Sequence, residues 1–306
     1  MSGMGRRSFM AASALAGVGA ALGARAQRRG GEDMLTREVP RTGEAVPVIG
    51  LGTWQTFDVG ASPEERAPRL EVLRQFLAAG GRVIDSSPMY GRAEEVTGDL
   101  LAALRGAPAP FLATKVWTTG KAAGEAQIRD SFRKLRAQVV DLFQVHNLVD
   151  WRTQLATLRE LKAAGKIRHV GITHYATSSF GEMERLLRTE ALDFIQLPYS
   201  AATREAERRL LPAAADTRTA VLVMRPFEEG QLFRAVQGKP LPPWAKELGA
   251  TAWSQVFLKF ILAHPAVTAV LPATAKPKHL AENVAAGQGP MPDEKLRKRM
   301  AEELAL

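Results

Sequence analysis

The chain of 306 residues is 46% hydrophobic and 24% charged, enough apolar material for one large core and unlike the composition of a disordered chain. It has no cysteine, which excludes a disulfide scaffold, thiolate catalysis and a Cys-ligated metal. The formal net charge is +9, but no block of Lys and Arg interleaves with aromatics, which speaks against nucleic-acid binding.

Residues 1–26 read as an address rather than as fold. Gly5-Arg6-Arg7-Ser8-Phe9-Met10 resembles a twin-arginine export signal, and Met10 to Gly23 is small and apolar. Ala24-Arg25-Ala26 has the small-x-small form of a cleavage site. Such signals carry folded cargo, so the expected partner is the twin-arginine translocase and the expected location is the periplasm, after cleavage behind Ala26. No later stretch reaches transmembrane length, so stable membrane insertion is not expected. Residues 27–45 form a lead-in, and residues 46–306 form a single folded domain.

From there the pattern alternates. Strands are predicted at Val48–Leu51, Val83–Ser86, Phe111–Val116, Leu142–His146, His169–Thr173, Phe194–Leu197, Ala220–Met224 and Thr268–Leu271. They are short, continuous and apolar, as strands covered on both faces are. Helical stripes lie between them: Leu70, Leu73, Phe76 and Leu77, stopped by Gly80-Gly81; Ile128, Phe132 and Leu135; and Leu155, Leu158 and Leu161, stopped by Gly165. Eight strands separated by helices predict an α/β (β/α)₈ TIM barrel with its active site at the C-terminal mouth. A doubly wound sheet is the alternative, weakened because no G-x-G-x-x-G follows the first strand. The Pro- and Gly-containing segment from Phe227 to Lys246 reads as a loop over the mouth, and Asp293 to Leu304 as a charged outer helix.

Four polar residues end or follow the apolar runs: Asp85, Tyr90, Lys115 and His146. Together a phenol, an ammonium, a carboxylate and an imidazole make a proton-delivery device, in which the cation lowers the Tyr pKa and the Asp keeps the Lys charged. Trp54, Trp117 and Trp151 fall near strand ends and could line an apolar substrate pocket, with core packing as the competing reading. No His or carboxylate pair has metal-ligand spacing, so no metal is expected. Lys115 also admits a second reading, as the Schiff-base lysine of an aldolase-like barrel.

The chain from about residue 36 to 290 resembles the aldo-keto reductase family. The resemblance rests on Gly50-Leu-Gly52-Thr53-Trp54, Asp85-Ser-Ser-Pro-Met-Tyr90-Gly91, Thr114-Lys115, Gln144-Val-His146, Val170-Gly-Ile-Thr173-His174, Gln196-Leu-Pro-Tyr199-Ser200 and Pro272-Ala-Thr274-Ala-Lys276-Pro-Lys278-His279-Leu-Ala-Glu282-Asn283. It implies reduction of an aldehyde or ketone to an alcohol with NADP(H), NAD(H) not being excluded. Asp85, Tyr90, Lys115 and His146 match the catalytic tetrad, with Tyr90 as general acid. Gly52, Thr53 and Trp54 match the cofactor side of the first strand. Thr173, His174 and Gln196 match positions that grip the nicotinamide carboxamide, and Tyr199 the aromatic that stacks on its ring. Pro226 and Gly230 belong to a loop over the pyrophosphate. Thr274, Lys276, Lys278 and His279 would face the 2′-phosphate, with Glu282 and Asn283 near the adenine. Departures are His174 for the usual Asn, Ala273 for a Lys or Gly, His279 for an Arg, Arg225 for a small residue, and an acidic Glu228-Glu229 in the pyrophosphate loop. An exported reductase has no evident supply of reduced nicotinamide. A cofactor-binding regulatory or sensor module, or an electron-transfer partner, therefore stays open beside the reductase reading.

Overall fold

The computed structural model describes residues 33–304. The export signal expected at residues 1–26 lies outside them. Two short strands come first, β1 (Thr36–Glu38) and β2 (Ala45–Pro47), paired antiparallel. The turn between them closes through Gly43, whose φ of 72° suits glycine. This hairpin straddles the expected start of the domain at residue 46.

Eight parallel strands follow, each paired with its sequence neighbour: β3 (Leu51–Gly52), β4 (Val83–Asp85), β5 (Phe111–Val116), β6 (Val140–His146), β7 (Ile167–Thr173), β8 (Phe194–Pro198), β9 (Ala220–Met224) and β10 (Ala269–Val270). Bridges from Ile49 to Val270 and from Gly52 to Ala273 join the last strand to the first, closing the (β/α)₈ barrel. The first strand is shorter than the expected Val48–Leu51. Val48 and Gly50 instead meet β10 through single backbone bonds with Val270. A Cβ at Gly50 would come within 2.5 Å of the Leu271 side chain, so glycine permits that approach.

The two-residue period of a strand sorts the barrel into layers. Val83, Phe111, Ala113, Leu142, Phe194, Ala220, Leu222, Ala269 and Leu271 make the inner core, and Val39 and Val46 of the hairpin join it at the floor. The alternate residues, among them Ile84, Leu112, Val116, Phe143, Val145, Val170, Ile172, Ile195, Leu197, Val221 and Val223, belong to the outer core under the helices. Continuing the inner set toward the strand ends brings Asp85, Lys115, Gln144, His146, Thr173 and Gln196 to the mouth. Register agrees: Lys115 pairs with Gln144, and Thr173 pairs with both His146 and Gln196.

The helices cover this sheet. In α1 (Pro63–Ala78) the Ser62 side chain accepts from the Glu65 N–H, Pro63 opens the first turn, and Val72, Leu73, Phe76 and Leu77 are buried. Next come α2 (Ala93–Ala103), α3 (Lys121–Leu135), α4 (Trp151–Ala163), α5 (Phe180–Thr189), α6 (Leu210–Asp216) and α7 (Gln231–Ala235), the last inside the segment expected to be a loop. The set ends with α8 (Trp253–Leu262), α9 (Pro277–Ala286) and α10 (Glu294–Glu303). The expected terminal helix is α10, capped by Asp293, whose side chain accepts from the Leu296 N–H. No helix among the described residues is long and apolar enough to cross a membrane.

Candidate active site

Asp85, Lys115 and His146 reach the mouth from the ends of β4, β5 and β6, and Tyr90 from the turn after β4. Asp85 and Lys115 are buried, at 3% and 1% exposure, and Lys115 Nζ lies 2.7 Å from Asp85 Oδ2. The same ammonium donates to the Ser86 carbonyl at 2.7 Å. Gln196 Nε2 donates to Asp85 Oδ2 at 3.1 Å, and Gln144 Nε2 lies 3.3 Å from Gln196 Oε1. The carboxylate is thus held by a cation and two amides, since Gln144 Nε2 also donates to Asp85 Oδ1 at 3.4 Å. Lys115 Nζ stands 5.1 Å from the centre of the Tyr90 ring, whose edge meets the His146 ring at 5.8 Å between centroids.

Burial works against the Lys115 ammonium, but Asp85 and Tyr90 outweigh it and hold the Lys115 pKa above its ordinary value. A Schiff-base lysine must lose its proton to attack, so this arrangement disfavours that reading. For Tyr90 the balance runs against expectation. Burial raises its pKa, Asp85 adds to the rise, and the opposing pull of Lys115 does not win. The phenol therefore holds its proton. Burial, with repulsion from Lys115 and His174, pushes His146 down to about 2, leaving its imidazole neutral. Ser87 Oγ is 2.9 Å from His146 Nδ1 and accepts from the Met89 N–H. Ser87 is fully buried, so its hydroxyl proton needs an acceptor, and Nδ1 supplies one. That contact leaves the imidazole proton on Nε2.

A cavity of about 360 Å³ opens beside this cluster. Asp85, Tyr90 and Gln196 line it, as do the expected Gly52, Thr53, Trp54, Pro226 and Gly230. A second cavity of about 340 Å³ is lined by Thr274, His279, Glu282 and Asn283, again as expected, together with Trp253 and Ser254. Phe227, Phe233 and Ala273 border both. Lys276 and Lys278 stand exposed at the start of α9 and do not line the second cavity. Thr173 is fully buried at the end of β7, and its hydroxyl has no protein partner.

Three expected positions are corrected. Tyr199 does not face the mouth. It is fully buried, donates to Glu207 Oε1 at 2.6 Å, accepts from Arg297 of α10, and packs near Phe260 of α8. It lies an odd number of residues from inward-facing Gln196, so the strand period turns it outward. His174 is spent on its own loop: Nδ1 accepts from the Ala176 N–H at 3.0 Å and Nε2 meets Ser179 Oγ at 3.1 Å. Trp151 lies against the guanidinium groups of Arg152 and Arg185, at 4.3 and 5.4 Å, and does not line the mouth cavity. Trp117 is exposed, with its ring 6.4 Å from that of His146.

Sequence reasoning missed Ser87, Met224 and Phe233, placed Phe227 and Glu229 only in a loop over the mouth, and left the reach of Arg225 open. A strand-end pattern could have found Met224, which shares the inward parity of Ala220 and Leu222. Ser87, Phe227 and Glu229 sit in turns, where no period indicates direction, and Phe233 lies in the five-residue α7, too short to show one.

The family model described as "Aldo/keto reductase family" matches residues 48–300. Among curated relatives, the aldo-keto reductase YhdN of Bacillus subtilis is 29% identical over 197 residues, 60% of this chain and 59% of that protein. The methylglyoxal reductase YeaE of Escherichia coli is 27% identical over 248 residues, 79% of this chain and 85% of that protein. Among solved structures, an aldo/keto reductase from Klebsiella pneumoniae, crystallised with NADP and acetate, superposes with a TM-score of 0.73 at 27% identity, covering 86% of this chain and 93% of that one.

Proposed function

We propose, for a chain that belongs to the aldo/keto reductase family, that it uses NADP(H) to reduce an aldehyde or ketone to an alcohol, with Tyr90 as proton donor. The observation that carries this reading is the buried Lys115–Asp85 pair beneath Tyr90, beside a neutral His146, on the edge of an open cavity. The residues present fit the cofactor. Two cavities meeting at Phe227, Phe233 and Ala273 make a slot suited to an extended dinucleotide, and the buried Thr173 hydroxyl is left without a protein partner at the mouth. Gly52, Thr53 and Gln196 would hold the nicotinamide half, and Pro226 and Gly230 would lie over the pyrophosphate. Thr274, His279, Glu282 and Asn283 would hold the adenosine half, with exposed Lys276 and Lys278 beside a 2′-phosphate. When bound, NADPH supplies the hydride that the carbonyl carbon receives.

The chain's own residues do the rest. His146 Nε2–H orients the carbonyl oxygen. As charge grows on that oxygen, Tyr90 delivers its proton, and the fixed Lys115 cation stabilises the phenolate left behind. Asp85 keeps the cation in place. Five of the seven exposed large apolar side chains among the described residues, Trp54, Met89, Trp117, Tyr175 and Phe233, follow strand C-termini around the mouth, which supports an apolar substrate. NADPH consumption by the full chain with an aromatic aldehyde tests the reading, and no consumption across aromatic and aliphatic carbonyls would sink it.

The twin-arginine motif at Arg6-Arg7 supports export to the periplasm as a further part of this proposal. Cell fractionation in a host with a twin-arginine translocase decides it. The proposal expects the protein in the periplasmic fraction, shortened by about the length of residues 1–26. Full-length protein confined to the cytosol would overturn it.

A further inference from the structure

The segment after β9 combines three observations that the proton-delivery chemistry does not use. Arg225, Glu228 and Glu229 all have left-handed backbone, at φ of 55°, 48° and 51°, and Gly230 follows at 86°. Such strain in non-glycine residues persists only where surrounding contacts enforce it. Those contacts are side-chain pairs: Arg225 Nη2 lies 2.9 Å from Glu229 Oε1, and Ser200 donates to Glu228 Oε1 at 2.6 Å. The third observation is that Arg225 Nε is buried without a partner, although Arg225 and Glu229 both line the mouth cavity.

The pair's placement gives it a ligand. A dinucleotide spanning both cavities would place its central diphosphate near their shared border at Phe227, Phe233 and Ala273, on the side of the first cavity that Arg225 and Glu229 line. A carboxylate there repels a diphosphate, and a guanidinium with a spare N–H attracts it. A wall held by side-chain pairs in unfavourable backbone states can re-form when a ligand replaces one of those pairs.

Resting on the cofactor reading above, we propose that Arg225 is an anion receptor held in reserve by Glu229. Without ligand the pair is closed, and a bound dinucleotide's diphosphate takes the guanidinium from the carboxylate. Glu229 is then a residue that lowers cofactor affinity, and Arg225 one that supplies it.

The test is the affinity of the full chain for NADPH, followed by tryptophan fluorescence at several salt concentrations, with Arg225→Gln, Arg225→Lys and Glu229→Gln beside the native chain. Glu229 is half exposed, and thermal melts check that all three variants keep the fold. The proposal expects Glu229→Gln to bind NADPH several-fold tighter. It expects Arg225→Gln to bind about tenfold weaker with a flatter salt dependence, and Arg225→Lys to fall between. If Glu229→Gln binds no tighter, or weakens binding in step with Arg225→Gln, the pair is only a brace and the proposal fails, while the cofactor reading stands. If the native chain does not bind NADPH, both fail.

Discussion

His169 at the floor and His146 at the mouth are both buried imidazoles of the barrel interior, yet their neighbours differ in kind. His169 Nε2 meets Glu44 Oε2 of the hairpin turn at 2.9 Å, and its ring packs on Phe111 and Phe194. Arg168 ties Glu44 and Asp141 together at 2.7 and 2.6 Å. The floor matches acids with bases and closes with Val39 and Val46, although His169 Nδ1 has no partner. The mouth lacks that closure. His146 sits near a cation, Thr173 has an unpaired hydroxyl, and the wall includes left-handed Arg225 and Glu229. One end spends its polar groups on holding the barrel shut, while the other keeps them available to a ligand.

The sharpest way to break this contrast is at Lys115. Lys115→Met leaves Asp85 as a buried carboxylate without its cation, a loss of about 3–5 kcal/mol that should lower the melting temperature by roughly 10 °C and abolish turnover. A melting temperature within a degree or two of the native chain would mean that the mouth does not hold a buried charge pair.

A smaller effect is the pH dependence of stability that His146 brings. His146 titrates at about 2 in the folded chain against 6.5 in the unfolded one. Below pH 6.5 the unfolded state takes up a proton that the folded state refuses. Stability therefore falls by about 1.4 kcal/mol per pH unit through that window until near pH 2. Denaturant melts from pH 7 to 4.5 should show this slope, flattened in His146→Asn. The reaction rate should show no ionisation near 6.5 from this group.

The smallest effect is at the floor. Glu44→Gln removes the negative charge between Arg168 and His169 and replaces one carboxylate oxygen by an N–H donor, costing about 1–2 kcal/mol with turnover unchanged. Burial raises the Glu44 pKa, but bonds from His169 and Arg168 overcome it and hold the pKa below the ordinary value. Its contribution is present above pH 4.5 and is lost as pH falls through the lower folded value. A fall in turnover comparable to the fall in stability would show that the two ends are coupled.

The eight strands were legible because strands covered on both faces leave unbroken apolar runs, and Asp85, Lys115 and His146 stood out by ending such runs. The hairpin was not, because three-residue strands leave too little pattern. Helix α8 was hidden because it is buried all round, from Ser254 to Leu262, and shows no polar face. The fate of Tyr199 was readable from strand parity alone, counted from Gln196. The Lys115 cation was expected to lower the Tyr90 pKa, and its sign was right, but the depth of burial that reverses the outcome is a property of packing that no local motif carries. His174 and Trp151 were misplaced for a related reason: His174 lies just past β7 and Trp151 opens α4 after the β6 loop, where loop geometry decides direction.

Tyr90 as the proton donor is best checked by the single-turnover rate of NADPH oxidation with an aromatic aldehyde. Tyr90→Phe is compared with the native full chain, with NADPH affinity measured on the same samples. The expected result is a rate lower by about 10²–10⁴-fold with affinity unchanged. An unchanged rate would contradict the assignment, and with it the role given to the Lys115–Asp85 pair beneath.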